Sequence, residues 1–251
     1  MWFGRTLTKD ALQTLRYLIN ILLVLIPALV MAQDKSDLEK LDTLINNKLR
    51  FVPTAIRVAA DIIPPIRTFT DSKFKGLELN GDIDFYRYYL NVDIGRWERD
   101  LKTDMEEYTN HGNYFRVGVD VNFLKKDPDK NMFFIGARYG HSKFSENLTI
   151  TSEDDVWGTR TDSYANTGVR ANWTELTTGL KVRMFGLFWM GYTARYKFWL
   201  KTDAPRGFIP HDVPGYGKTY DEHTWGFNYY IIFRIPVRNE KLVSKILKKI
   251  E

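Results

Sequence analysis

The sequence predicts an all-β fold, an eight-stranded antiparallel transmembrane β-barrel, from three observations. Apolar and polar residues alternate with a period of two in eight segments after residue 53. Long and short links alternate between these segments. Aromatic residues, 15% of the chain, concentrate at segment ends, where an amphipathic ring bridges hydrocarbon and head group. A short helix before the barrel and an amphipathic helix after it complete the predicted fold.

Composition narrows the protein class before any segment is considered. The chain has 251 residues, of which 44% are hydrophobic and 27% charged, as in an ordinary folded protein. Its mean hydropathy of -0.35 argues against a helical polytopic membrane protein. The absence of cysteine excludes disulfide frameworks, thiolate zinc sites and cysteine nucleophiles. A net charge of +5 alone would also fit a nucleic-acid binder, so the pattern along the chain must decide.

Residues 1–32 are predicted to be a signal peptide. Three basic residues, Arg5, Lys9 and Arg16, precede an apolar run over residues 17–30. That run is about 15 residues, whereas a spanning helix needs about 20. Small residues before position 33 favour cleavage after Ala32, and an uncleaved inner-membrane anchor is the alternative. Because an exported chain does not meet nucleic acid, no nucleic-acid partner is expected.

Residues 33–52 predict a short periplasmic helix. Ser36 and Glu39 match a capping box, which satisfies free N–H groups at a helix start. Apolar residues then recur at helical spacing, namely Leu38, Leu41, Ile45 and Leu49. Pro53 follows and ends the pattern.

Residues 53–238 are predicted to form the barrel. The predicted strands cover residues 54–62, 75–85, 88–97, 113–123, 132–143, 171–184, 188–200 and 224–235. The links between them have about 12, 2, 15, 8, 27, 3 and 23 residues, as expected for long extracellular loops and short periplasmic turns. Both termini then lie on the periplasmic side. The alternative is a secreted β-sandwich or lipocalin-like barrel, in which the apolar faces would point inward.

The polar faces of these strands define the predicted lumen. Its predicted acids are Asp61, Glu78, Asp82, Asp84, Asp93, Asp120 and Glu175. Its predicted bases are Arg57, Arg116, Arg138, Lys181, Arg183, Arg195, Lys197 and Arg234. An eight-stranded barrel is filled by its own side chains, and buried charges must pair. We therefore expect an ion-pair network that blocks the lumen, with an ion or proton path or an acid–base site as the alternative reading.

No catalytic, cofactor-binding or metal site is expected. His141 and Ser142 come nearest to the His and Ser of outer-membrane lipid A deacylases. Adjacent strand residues point to opposite faces, however, and the residue two positions after His141 is Lys143. Acidic residues near positions 153–155, 203 and 212 are typical of surface loops as much as of calcium sites.

Residues 239–251 predict a basic amphipathic tail. Apolar residues recur on one helical face of this segment, with lysines elsewhere. Such a helix would lie on lipid head groups or dock a partner, and a solvated tail is the alternative.

Three stretches carry a resemblance to a known family. They are residues 51–66 (FVPTAIRVAADIIPPI), 75–84 (KGLELNGDID) and 173–182 (WTELTTGLKV), together with a signal ending in Met-Ala-Gln. The chain resembles an uncharacterised family of outer-membrane β-barrel proteins of Bacteroidota, known only as a domain of unknown function. The resemblance implies an integral outer-membrane protein and supplies no activity and no catalytic residues.

The predicted function is a non-enzymatic outer-membrane barrel with a charge-filled, non-conducting lumen. It would be a structural or accessory component of the cell envelope. By analogy with other small barrels, that component could belong to secretion or assembly machinery. The alternatives are a lipid A deacylase-like enzyme and a narrow channel. Expected partners are outer-membrane lipids and lipopolysaccharide, and an envelope protein bound through the loops or the C-terminal helix. The barrel is expected to be monomeric and to need no cofactor.

Overall fold

A computed structural model describes residues 53–85, 87–124, 130–154, 158–204, 209–220 and 222–237. These residues all belong to one compact unit, Arg50–Glu251. The predicted signal peptide (1–32), periplasmic helix (33–52) and C-terminal tail (239–251) lie outside the described residues.

Eight strands close into an antiparallel barrel, which confirms the predicted strand count and closure. They are β1 (Ala55–Asp61), β2 (Phe74–Phe85), β3 (Tyr88–Lys102), β4 (Glu106–Asn122), β5 (Met132–Asp154), β6 (Gly158–Phe185), β7 (Phe188–Thr202) and β10 (His223–Pro236). A separate two-stranded sheet, β8 (Asp212–Val213) and β9 (Gly217–Lys218), is formed by the part of the chain that links β7 to β10. Each barrel strand pairs with its neighbour along the chain, and β1 pairs with β10 to close the ring.

Four strands run further than predicted at the end of the barrel opposite the chain termini. The links of about 15 and about 27 residues are wrong, because β3 and β4 are joined through residues 103–105 and β5 and β6 through residues 155–157. We call these extensions, residues 98–102, 106–112, 144–154 and 158–170, the wall. Their strands pair with one another up to their tips. Their buried apolar residues, such as Tyr108, Phe144 and Val169, are too few and too far apart for a period-two pattern to detect.

Apolar side chains point outward on every barrel strand. Exposed examples on successive strands are Val58, Leu79, Val92, Val117, Ile135, Leu180, Tyr192 and Phe233. We call this outer band the apolar belt. In a secreted sandwich or lipocalin-like barrel these residues would be buried, so the structure contradicts that alternative.

A helix, α1 (Ile63–Thr70), follows β1 and was not predicted. Pro64 lies in its first turn, where no backbone donor is lost, and eight residues are too few for a clear helical period. The Thr68 hydroxyl accepts a hydrogen bond from the Gly76 N–H at 3.1 Å, and the Arg67 guanidinium lies 4.1 Å from the centre of the Phe74 ring. These contacts fix α1 against the start of β2. Within the described ranges, no helix combines the length and apolarity that crossing a membrane requires.

Candidate functional site: the lumen and its plug

The lumen is the candidate site, and the structure places fourteen of the fifteen predicted lumen residues in it, each at most 8% exposed. The buried acids are Asp61, Glu78, Asp82, Asp84, Asp93, Asp120 and Glu175, and the buried bases are Arg57, Arg116, Arg138, Lys181, Arg195, Lys197 and Arg234. Of the predicted residues, seven carboxylates therefore face seven cationic side chains.

Arg183 is the exception, because it is exposed and not buried with the other fourteen. It is exposed at the turn end of β6, where its Nε donates to the Gly186 carbonyl at 3.1 Å. The pairing of β6 with β7 stays regular up to Arg183, which pairs with the buried Trp189, and shifts only after it, so Arg183 is exposed because it lies at the open turn end of the barrel.

Near the turn end of the lumen, one carboxylate holds two cations. Arg57 Nε lies 2.7 Å from Asp82 Oδ1, and Lys181 Nζ lies 2.7 Å from Asp82 Oδ2. The Arg57 guanidinium also stacks 4.4 Å from the centre of the Tyr89 ring. Both cations therefore have Asp82 as their partner, and each also lies over an aromatic ring, Lys181 over Phe134 at 5.4 Å.

Asp93 lies at the centre of the network. Three arginines converge on it: Arg138 forms a direct ion pair, Arg116 Nε lies at 3.4 Å and Arg195 Nη2 at 3.5 Å. The Asn80 amide donates a further hydrogen bond at 2.7 Å. Three cations around one carboxylate require other acids close by.

Glu78 and Glu175 supply that negative charge. Glu175 Oε2 lies 3.0 Å from Arg195 Nη1, and Glu78 forms an ion pair with Arg116. Two tyrosine hydroxyls also donate to Glu78, Tyr230 at 2.7 Å and Tyr114 at 2.6 Å. The middle of the barrel is thus filled by paired charges and aromatic side chains, an arrangement suited to rigidity.

A segment of the link between β7 and β10 enters the barrel mouth. We call residues 212–216, all buried, the plug. Lys197 Nζ donates to the Gly215 and Tyr216 carbonyls, each at 2.8 Å, and the Tyr216 ring packs edge-on against Trp173 at 5.9 Å. Val213 joins the same buried apolar cluster. The plug closes the lumen above the ion-pair network.

The wall holds the plug from the side. Asp212 forms an ion pair with Arg99, and its carbonyl accepts a hydrogen bond from the Asn110 amide at 2.7 Å. Tyr108 donates to Glu146 at 2.9 Å in the neighbouring part of the wall. Burial and the charge of Glu146 raise the pKa of the Tyr108 hydroxyl, so the tyrosine stays neutral and donates.

Sequence reasoning missed the plug, although one signal was present. Residues 214–217 read Pro-Gly-Tyr-Gly, a turn signature around an aromatic residue. A cavity of about 270 Å³ lies beside the plug, lined by α1 and the barrel mouth. Its charged lining includes Arg67, Glu78, Arg116 and Lys197, of which all but Arg67 belong to the lumen residues.

His141 and Ser142 lie on opposite faces of β5. His141 Nδ1 is 2.7 Å from Asn172 Oδ1 on the outer surface, whereas Ser142 is fully buried and its hydroxyl donates to the Asn113 carbonyl at 3.3 Å. The two side chains cannot act together as base and nucleophile. In the part of the chain that the structure describes, no three or more His, Asp or Glu residues gather as a metal site would require.

A family model described as "Domain of unknown function (DUF6048)" matches residues 14–240. The chain belongs to this family. The match covers most of the DUF6048 chain, including every barrel strand described above. The Bacteroidota origin implied by the resemblance stays a prediction. No curated protein matches the sequence.

Several solved β-barrel structures resemble this DUF6048 protein. The N-terminal β-barrel domain of Pseudomonas aeruginosa OprF is 12% identical, covers 72% of this chain and 98% of its own, and has a TM-score of 0.30. Ail, the attachment invasion locus protein of Yersinia pestis, is 11% identical over 73% and 98%, with a TM-score of 0.37. A major outer membrane protein from Thermus thermophilus is 10% identical over 73% and 98%, at 0.31. The fold assignment rests on the strand pairing of this chain itself.

Proposed function

We propose that this protein is an integral outer-membrane β-barrel that is not an enzyme and does not conduct. It acts as a structural or accessory component of the cell envelope. The observation that carries the proposal is the closed barrel with apolar side chains outside and paired charges inside. In water, a continuous apolar belt would exceed what a soluble monomer exposes. In a bilayer, the same belt meets hydrocarbon and the closed ring leaves no strand edge unpaired.

The orientation follows from the ends of the barrel. The short connections at residues 86–87 and 186–187 lie at the same end as both barrel termini, Ala55 and Pro236. The opposite end also has short connections, at residues 103–105 and 155–157, but its strands extend far beyond those at the first end and the long link between β7 and β10 lies there. Short turns on one side and long extensions on the other are typical of the periplasmic and extracellular sides of outer-membrane barrels, respectively. The wall, α1 and the plug then face the outside, and the signal peptide predicted over residues 1–32 supplies export.

A blocked lumen argues against the channel alternative. The central arginines and carboxylates are at most 4% exposed, and the plug lies above them. An ion entering this network would have to displace paired charges in a confined, low-dielectric space. The separation of His141 from Ser142 likewise argues against a deacylase mechanism built on them.

Four measurements test this function together. The refolded full chain should insert into phosphatidylcholine vesicles and migrate as a heat-modifiable species in electrophoresis, and it should give no single-molecule conductance steps in a planar bilayer. Steady ion flow through single molecules would contradict the blocked lumen. Loss of an acyl chain from lipid A after incubation with the protein would contradict the non-enzymatic role.

The wall is the surface that we propose for an envelope partner. It stands beyond the apolar belt as paired strands, so its outer face is held rigidly without a lipid environment. Photo-crosslinking residues are placed at positions 161 and 163 of the protein, and intact cells are irradiated. The protein should then capture one discrete partner protein if the wall binds one. Crosslinks only to lipid or to many unrelated proteins would argue for a purely structural role.

A further inference from the structure

Three cations lie together on adjacent strands at the outer edge of the apolar belt. Lys143 of β5 and Arg170 of β6 are directly paired residues. Lys201 of β7 pairs with Asn172, which lies two residues from Arg170 and so on the same face of β6. All three cationic side chains are exposed. We call Lys143, Arg170 and Lys201 the basic patch.

The patch begins where the belt ends. On β5, Tyr139 is exposed on the belt and lies four residues before Lys143, on the same face. The Tyr139 hydroxyl donates to Asn172 at 2.7 Å, at the lower edge of the patch. On β7, Trp199 is 78% exposed and lies two residues before Lys201. Exposed tyrosine and tryptophan are typical of head-group level, so the three cations lie at or just above it.

Among the described residues, no carboxylate forms an ion pair with the patch. Within the described residues, Lys143, Arg170 and Lys201 form no ion pair. One carboxylate, Asp203, is near, and its Oδ1 accepts a hydrogen bond from the Arg170 backbone N–H at 2.6 Å. Three positive charges against one negative charge leave a net positive surface.

Three other exposed cations of the outer half are paired locally, whereas Lys73 and Lys75 on β2 and its approach have no ion pair among the described residues. Arg96 Nη2 lies 2.7 Å from Glu98, Lys102 Nζ lies 3.3 Å from Glu107, and Arg160 Nε lies 3.0 Å from Asp162. The basic patch differs from the three paired cations in lacking a paired acid, and from Lys73 and Lys75 in joining three adjacent strands next to exposed Tyr139 and Trp199 of the belt. An uncompensated charge cluster at this height is suited to an anion that the bilayer itself supplies.

We propose that the basic patch binds the phosphate groups of an anionic lipid in the surrounding leaflet. Arginine pairs bidentately with phosphate oxygens, and lysine adds a mobile point charge. Long side chains bring these charges down to head-group level while their aliphatic stems cover the belt. This inference rests on the membrane location proposed above and names the lipid class that the barrel recognises.

The test compares a patch variant with a charge-matched control. The full chain is refolded in a neutral detergent and titrated with phosphorylated lipid A, and bound lipid is counted by native mass spectrometry. The triple variant K143Q, R170Q and K201Q should bind at least about tenfold more weakly, since each basic residue contributes to head-group affinity. The control K73Q, K102Q and R160Q removes the same charge from exposed positions away from the patch and should bind like the wild type.

Three results would overturn the patch assignment. They are equal losses in the patch and control variants, equal binding of dephosphorylated lipid A, and equal binding of inorganic phosphate alone. Insertion separates the two proposals: a chain that inserts into neutral phosphatidylcholine vesicles but does not prefer phosphorylated lipid refutes only the patch. A chain that inserts into no vesicle refutes the membrane function and the patch with it.

Discussion

The centre of the lumen and its mouth are closed by different chemistry. At the centre, side chains of the strands themselves close the barrel, with Asp93 holding Arg116, Arg138 and Arg195. At the mouth, a loop closes it, and Lys197 binds backbone carbonyls of the plug. Closure of the centre therefore depends on the pairing of buried charges. Closure of the mouth depends on the backbone conformation of the plug.

This difference predicts how each region responds to substitution. A charge removed from the centre leaves partners buried in a low dielectric and unpaired, so the loss reaches the whole barrel. A change at the mouth displaces a short segment, while the ring of strands stays paired. The largest effects should therefore come from the centre, and effects should fall towards the exposed wall.

Asp93→Ala should have the largest effect. Removing this carboxylate leaves three arginines around an empty position, and breaking a buried pair costs about 3 to 5 kcal/mol. The free energy of unfolding, measured by urea titration in phosphatidylcholine vesicles, should fall by that amount. Asp203→Asn, on an exposed carboxylate, is the control and should change it by less than about 0.5 kcal/mol. A loss below about 1 kcal/mol in Asp93→Ala would show that the network does not depend on Asp93.

Gly215→Ala should displace the plug and leave the barrel closed. Gly215 has φ +83, and a Cβ there would lie 2.6 Å from the Tyr114 ring, so alanine is disfavoured both by conformation and by contact. The expected cost is about 2 to 3 kcal/mol, the sum of a strained backbone and an overpacked site. Hydrogen exchange at residues 212–216 should accelerate, whereas exchange in β1 and β10 should not.

Gly158→Ala is the matched control for that substitution. Gly158 has φ +74 but nothing within 4 Å of its Cβ position, so alanine there meets only the backbone cost of about 1 kcal/mol. Equal losses in the two variants would mean that Tyr114 yields to the added methyl group and that the plug is loosely packed.

Much of the fold was predictable from sequence because the belt has one apolar and one polar face. Residues such as Leu79 and Asp82 alternate without interruption, and the strand count and the inward positions follow from that period. The wall was not predictable in this way, because its few buried apolar residues, such as Phe144 and Val169, stand among polar ones and give no continuous alternation. Residues 144–154 and 158–170 are therefore strands that look like loop sequence.

The set of charged residues that face the lumen was predictable from sequence, but which residue pairs with which was not. Parity along a strand says that Arg57, Asp82 and Lys181 point inward, but not that both cations meet one carboxylate. Those contacts depend on the tilt and stagger of strands distant in sequence. The plug was missed because a loop that folds inward is fixed by tertiary contacts such as that of Lys197 with the Gly215 carbonyl.

Lys197→Met should loosen the mouth without opening a conducting path. The substitution keeps the side-chain length but leaves the Gly215 and Tyr216 carbonyls without their donor, at a cost of about 1 to 2 kcal/mol. Hydrogen exchange in the plug should rise, and planar bilayers should still show no conductance because the Asp93 network remains filled. Conductance steps in this variant would assign the barrier to the plug and not to the centre.

Lys102→Gln should have the smallest effect, although it also breaks an ion pair. Lys102 Nζ lies 3.3 Å from Glu107, and both side chains are more than half exposed, so water already screens the attraction. The free energy of unfolding should change by less than about 0.5 kcal/mol, against several kcal/mol for Asp93→Ala. A loss at Lys102 comparable to that at Asp93 would mean that the wall, and not the lumen, stabilises the barrel. Each substitution removes one charge, but one charge is buried and the other is exposed. The ratio of the two losses in unfolding free energy therefore measures how much a buried charge contributes to stability relative to an exposed one.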